Sequence, residues 1–254
     1  MRPYILAESN WKNIKDQSIE LAVLPWGATE AHNYHLPYAT DNYQAEALAA
    51  EAGRLAWDQN IKVTILPAIP FGVNTGQSDI KLDMNLNPST QLVILRDLIT
   101  VLNRQGIHKL LLLNGHGGNN FKPLLRELGL EFPNMFLTLC NWFQIAKNEV
   151  HFQEEGDHAD EMETSLMLYL KPDLVRPLSE AGTGSEKKSV ITGIREGWAW
   201  SEREWSKVSA DTGIGNPKHA TREKGEEIFQ VVSKKLSELI NEIANMDMDN
   251  RYSG

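Results

Sequence analysis

Glu30, His32, His35 and Asp41 crowd into one short segment, Pro25-Trp26-Gly27-Ala28-Thr29-Glu30-Ala31-His32-Asn33-Tyr34-His35-Leu36-Pro37-Tyr38-Ala39-Thr40-Asp41, directly after the apolar run Leu21 to Leu24. Carboxylates and imidazoles offer oxygen and nitrogen donors that are deprotonated near neutral pH, which is what a divalent cation needs. Two more clusters of this kind lie downstream. They are Asn114-Gly115-His116-Gly117-Gly118-Asn119 and Asp157-His158-Ala159-Asp160-Glu161-Met162-Glu163-Thr164-Ser165. Each follows an apolar run or opens a helix, and together they point to a hydrolytic metal centre.

Within the first cluster, Glu30 and His32 stand two residues apart, so an extended loop aims both the same way and toward neighbouring metals. Asp41 has two readings, a helix N-cap or a carboxylate bridging two ions. His35 reads as a hydrogen-bonding support, a loop-packing residue or a ligand. The glycines flanking His116 permit a sharp turn and keep side chains away from the space above it. A glycine-rich turn before a helix is also a phosphate cradle, but the P-loop Lys and Ser/Thr are missing here. Glu163 points back from the first turn of its helix toward the site. Asp160 and Glu161 read as acids stabilising that helix start. His158 is the candidate proton shuttle, with a purely structural role in its loop as the alternative.

The elements that must position these residues alternate short apolar runs with amphipathic helices, the pattern of a mostly parallel sheet covered on both faces. Strands are expected at Glu20 to Leu24, Lys62 to Leu66, His108 to Leu113 (the most apolar, hence central) and Met135 to Cys140. Helices are expected from Thr40-Asp41 to about Trp57, from Asn87-Pro88-Ser89 to Gly106, and from Asn119 to Leu128. Two more follow at Glu161 to Leu170 and Thr221 to Met246. In an open sheet of this kind ligands collect beyond the carboxyl ends of the strands, where all three clusters fall. The segment 176 to 219 is polar and irregular and carries three of the seven tryptophans, as expected of a flap over the site or an intersubunit arm. The substrate pocket is expected from 74 to 86, Trp142 and 198 to 205.

Composition bounds the partners. A chain of 254 residues can bury a large core in one domain, 1 to 254. The formal net charge of −9 disfavours nucleic acid or an anionic membrane as partner. Cys140, the one cysteine, has no partner for an internal disulfide and reads as a core thiol. No apolar run suits a bilayer span and the N-terminus lacks a signal-peptide profile, so a soluble, cytoplasmic protein is expected.

The segment Gly27 to Asp41, the Asn114 to Asn119 turn, the His158-Ala159 to Glu163-Thr164-Ser165 run and the string Thr212-Gly213-Ile214-Gly215-Asn216-Pro217…Ala220-Thr221…Gly225 resemble the creatininase family. The resemblance covers most of the chain and is weakest in 74 to 100 and 176 to 205. It implies a three-layer α/β/α sandwich around a mainly parallel sheet, a centre of two divalent ions per subunit, hydrolysis of a cyclic or formyl-type amide, and a homohexamer. By position, Glu30 resembles a ligand of one metal, His32 a ligand of the other and Asp41 the bridge. His116 resembles a ligand of the first metal, and His158 the proton shuttle.

Creatininase proper carries Tyr and Glu where this chain has Gly117 and Gly118, so Glu163 or a water is expected in place of the lost carboxylate. A further departure is Asp83-Met84-Asn85-Leu86, where the family usually has a Gly-Thr pair. Relatives with the Gly-Gly turn include formamide hydrolases of pterin and flavin precursors and a peptide-trimming enzyme. The expected reaction is attack by a metal-activated water, with zinc the first choice of metal and manganese or iron alternatives. Creatinine is one candidate substrate, and a metallopeptidase or formamide hydrolase of the same fold is the second reading. The rival from another class is a non-enzymatic metal-binding or assembly protein.

Overall fold

The computed structural model describes residues 2–252. Along the chain run α1 (Trp11–Ile14), β1 (Leu21–Trp26), α2 (Thr40–Asp58), β2 (Val63–Ile65), α3 (Pro88–Arg104), β3 (Lys109–Asn114), α4 (Lys122–Glu131) and β4 (Phe136–Asn141). They are followed by α5 (Trp142–Glu149), α6 (Glu161–Leu170), the short α7 (Thr192–Arg195) and α8 (Trp205–Val208), and the long α9 (Arg222–Asn245). The strands form one sheet in the order β2-β1-β3-β4, with every pairing parallel.

Alternation along the strands assigns each side chain to a layer. Leu21 and Val23 of β1, Val63 and Ile65 of β2, and Leu111 and Leu113 of β3 pack under α2, α5, α6 and α9. Ala22, Leu24 and Trp26 with Leu110 and Leu112 pack against Leu95 and Ile99 of α3 and Leu124 and Leu128 of α4. The result is one α/β/α sandwich. β1 is buried at every position and β3 at all but its first, so these two strands are the centre, whereas β4 is half-buried throughout. Cys140 therefore sits partly covered on the outer strand, and burial pushes its thiol up to about 11.

Three local outcomes bear on the site. Gly106, at φ +76, turns the chain after α3 as a left-handed residue must. Asp41 does not cap α2: Ala39 holds the cap position, with no side-chain hydrogen bond. At α6 the helix start is capped by Asp160, whose carboxylate accepts the Glu163 N–H at 3.0 Å. Trp142 departs from expectation. It is fully buried in the core under α9 and lines no substrate cavity, because it opens α5 with its ring turned onto that apolar layer. No helix among the described residues is long and apolar enough to cross a membrane.

Candidate metal centre

Trp26 and Asn114 are register partners at the ends of the two central strands, so the loops that leave β1 and β3 start side by side. The first carries Glu30 and His32 and runs into Asp41 on the first turn of α2; the second carries His116. The third contribution comes from α6 and the residues just before it. Asp157 and His158 both donate their backbone N–H to the carbonyl of Ile214, at 2.9 and 3.0 Å, and the Ile214 N–H returns to the His158 carbonyl at 2.8 Å. The late Thr212 to Asn216 string thus acts as a splint for His158. All six candidate side chains are at least nine-tenths buried: Glu30, His32 and Asp41 at 1% exposure, His116 at 5%, His158 at 6% and Glu163 at 8%.

Three donor sets converge: Glu30, Asp41 and His116; His32, Asp41 and Glu163; and Glu30, His32 and His158. Asp41 joins the first two. Its Oδ2 lies 3.1 Å from His116 Nδ1, and its Oδ1 lies 3.0 Å from His32 Nε2. Glu30 Oε1 approaches His116 Nδ1 at 2.8 Å, and Glu163 Oε2 stands 3.9 Å from His32 Nε2. Glu163 therefore groups with His32 and not with Glu30 and His116. His35 does not join them: its Nε2 pairs with Thr164 Oγ1 at 2.8 Å, and burial followed by the nearby His32 charge lowers its pKa to about 4.

The ring orientations carry the chemical argument. His116 donates its Nε2 proton to the Val73 carbonyl at 3.0 Å, His32 its Nδ1 proton to the Glu30 carbonyl at 3.1 Å, and His158 its Nε2 proton to the Ala31 carbonyl at 2.8 Å. Each ring so fixed turns its other nitrogen, a lone pair, toward carboxylates. Buried acceptors facing one another need either extra protons or a cation between them. Glu30 Oε1 and Asp41 Oδ2 are accordingly buried without a conventional donor. In the absence of a cation, burial disfavours charging His32 and His116, but the surrounding carboxylates outweigh it, raising His32 to about 10 and His116 well above its ordinary value. Burial raises Glu163 to about 8 against the pull of His32. His158 is lowered, by burial and then by the charge on His32, and stays neutral. The donor set fits divalent cations.

Supporting residues complete the site. Gln77, buried in the long loop before α3, donates to Glu30 Oε2 and leaves Oε1 facing His116. Sequence reasoning missed it, since a lone glutamine in an irregular loop has no periodicity to betray it. Asn114 and Asn119 lock the glycine turn: Asn114 Oδ1 accepts the His116 N–H at 3.2 Å and the Asn119 amide at 3.0 Å. Gly118 is a steric necessity, because a Cβ there would lie 2.4 Å from both His116 Nε2 and the Val73 carbonyl. Over the cluster lies a cavity of about 450 Å³, walled by Asn74 to Gln77, the glycine turn and residues 200 to 205. The tryptophan-rich segment thus forms part of the wall. Trp200 is 82% exposed, whereas Trp205 is buried with its ring centre 5.3 Å from that of His158 and the two rings nearly perpendicular.

Comparison with known proteins identifies the family and the fold. The creatininase (creatinine amidohydrolase) family profile matches residues 7–240. Creatinine amidohydrolase of Pseudomonas putida is 24% identical, over 93% of this chain and 96% of that protein. A mycofactocin precursor peptide peptidase of Mycobacterium ulcerans (strain Agy99) is 26% identical, over 82% of this chain and 79% of that one. Among solved structures, a provisionally named creatinine amidohydrolase of Bacteroides fragilis superposes with a TM-score of 0.91 at 39% identity, covering all of both chains. A creatininase determined in its zinc form matches in fold, with a TM-score of 0.74 at 23% identity over 96% of this chain and 99% of that one. The chain belongs to the creatininase family and is a hydrolase of amide C–N bonds.

Proposed function

We propose that this chain hydrolyses a small amide or formamide with two divalent ions, zinc foremost. Glu30, Asp41 and His116 would hold one ion and His32, Asp41 and Glu163 the other. The observation that carries the reading is the sharing of Asp41 between two donor sets whose histidines all present lone pairs. Bound there, the ions would polarise the amide carbonyl and bring the pKa of a water toward neutrality.

The chain's own residues supply the rest. His158, neutral and with Nδ1 turned toward Glu30 at 3.8 Å, can take a proton at that atom and pass it to the departing nitrogen. That transfer matters because an amine anion is a very poor leaving group. Gln77 keeps Glu30 oriented, and Trp205 packs perpendicular to the His158 ring. Glu163 completes the donor set with His32 and Asp41, which makes it this chain's candidate for the carboxylate lost at Gly118. The missing Tyr and Glu at Gly117 and Gly118 argue against creatinine itself as the substrate.

A peptide amide is the second reading. It is favoured by a second cavity of about 690 Å³ that shares Asp157, Trp200 and Arg203 with the first and so offers room for a longer substrate. Metal-replete protein screened by mass spectrometry against cyclic amides, formamides and short peptides tests both. Two bound ions with no hydrolysis across that panel would refute the proposal and favour a metal-binding assembly protein. A cytoplasmic homohexamer belongs to the same proposal, with light scattering as the check on its size.

A further inference from the structure

Arg203 is the only lysine or arginine among the described residues that line the catalytic cavity. The carboxylates deep in that cavity are those of the metal cluster; the rest of the polar wall holds the amides Asn74, Gln77, Asn119 and Asn120, the hydroxyls of Thr75 and Ser201, and two outer acids, Asp157 and Glu202. Arg203 is held in place from three sides. Its guanidinium lies 4.3 Å from the Trp205 ring centre, a cation–π contact that fixes the plane of the fork. Trp205 is itself pinned, with its indole N–H donated to the Thr212 carbonyl at 2.8 Å and its ring perpendicular to that of His158. The Arg203 backbone abuts the opposite wall at Gly76, where a Cβ would come within 2.3 Å of the Arg203 carbonyl, and the neighbouring Glu202 accepts the Thr75 hydroxyl at 2.9 Å.

This fork is underused. One N–H, from Nη2, reaches Asp157 Oδ2 at 2.9 Å, and the pair remains accessible, with Arg203 41% and Asp157 53% exposed. A guanidinium carries five donors in a planar array that matches a carboxylate in two-point fashion. Arg203 also stands where the catalytic cavity meets the second cavity, on a ring that itself packs against the proton-carrying histidine.

We propose that Arg203, stacked on Trp205, is a specificity-determining anchor for a free carboxylate on the amide substrate, with Asp157 as its resting partner. The inference rests on the amidohydrolase reading and narrows its substrate to acids: an N-acyl amino acid or the carboxyl end of a short peptide. The anchor lies two ring contacts from the centre of chemistry, so the carboxylate and the scissile amide are separate groups of one molecule.

Equilibrium binding to the zinc-loaded protein tests this without requiring turnover. Calorimetry would compare N-acetylglycine with N-acetylglycine methylamide, and triglycine with triglycine amide. The acids should bind roughly tenfold or more tighter than their neutral counterparts. Arg203→Gln should bring that ratio close to one, Arg203→Lys should restore part of it, and Asp157→Asn should increase it. The small pair and the peptide pair separate the two sources, since the larger ratio marks the acid that fits. Thermal melting of each variant establishes that it is folded. An acid preference that survives Arg203→Gln would place the carboxylate on the metals and overturn the proposal, as would equal binding of acid and amide by the unaltered protein. Failure of the amidohydrolase reading would show separately, as acid-selective binding without hydrolysis.

Discussion

Gly118→Ala is the sharpest perturbation the geometry offers. The added methyl would sit 2.4 Å from His116 Nε2 and from the Val73 carbonyl, inside any real contact distance and across the hydrogen bond that joins them at 3.0 Å. That bond cannot survive, and a buried donor or acceptor left without its partner costs about 1–3 kcal/mol. If the cost falls on metal binding, it corresponds to roughly 5- to 150-fold in affinity. Loss of a support to a ligating histidine independently costs roughly 10- to 100-fold. The loss should fall on the ion held by Glu30, Asp41 and His116, while the ion at His32 and Glu163 is retained. Chelator competition with metal analysis reads both ions. Gly117→Ala is the control, because a Cβ there meets nothing within 4 Å. Two ions at unaltered affinity in Gly118→Ala, or an equal loss in Gly117→Ala, would refute the reasoning. Gly118→Glu should likewise fail to restore the carboxylate found in creatininase proper.

The other expectations follow from the same cluster. Asp41→Asn should lower occupancy of both ions, and a variant with two ions and full activity would exclude a shared carboxylate. Glu163→Gln should release the ion on the His32 side and stop turnover. His158→Ala should keep metal content near normal while slowing hydrolysis roughly 10²–10⁴-fold, and the reverse pattern would exchange their roles. Metal-free protein should lose stability with rising pH. His32 is raised from 6.5 to about 10 on folding, so its contribution is complete below about 6.5 and lost as the pH climbs through about 10. Glu163, raised from 4.5 to about 8 by burial, acts in the same sense, since its ionisation opposes the folded state. The melting temperature of metal-free protein should therefore fall between about pH 6.5 and about pH 10, and zinc should remove most of that fall. A flat profile without metal would contradict these shifts.

Much of this was readable in the chain because strands and ligands announce themselves by type. The four expected strands lie within two residues of Leu21–Trp26, Val63–Ile65, Lys109–Asn114 and Phe136–Asn141, and α6 spans Glu161–Leu170 as its stripe and caps require. Glu30, His32, Asp41, His116, His158 and Glu163 meet because parallel strands send their following loops to one edge. Other features depend on tertiary contacts that spacing does not encode. The two readings of Asp41 divide on which way one carboxylate turns, and only the neighbouring imidazoles decide that. Trp142 and Trp205 look alike in sequence, yet one is sealed in the core and the other covers a catalytic candidate. The segment 176 to 219 has no periodicity, and its place as a cavity wall depends on contacts such as Thr75 with Glu202 and Ser206 with Asp79.

The shared carboxylate has a mechanical consequence. Asp41 sits on the first turn of α2, Glu30 and His32 on the loop after β1, His116 on the loop after β3 and Glu163 on α6, so three segments remote in sequence have their buried polar ends in one knot. Without a cation the knot holds three acids that repel one another unless neighbouring rings carry protons. With cations it becomes a rivet through the open edge of the sheet, joining the helix layer to both central strands. Metal supply would then govern the lifetime of the fold as well as its activity, and a metal-starved cell would be expected to contain fewer copies of this chain, not merely idle ones.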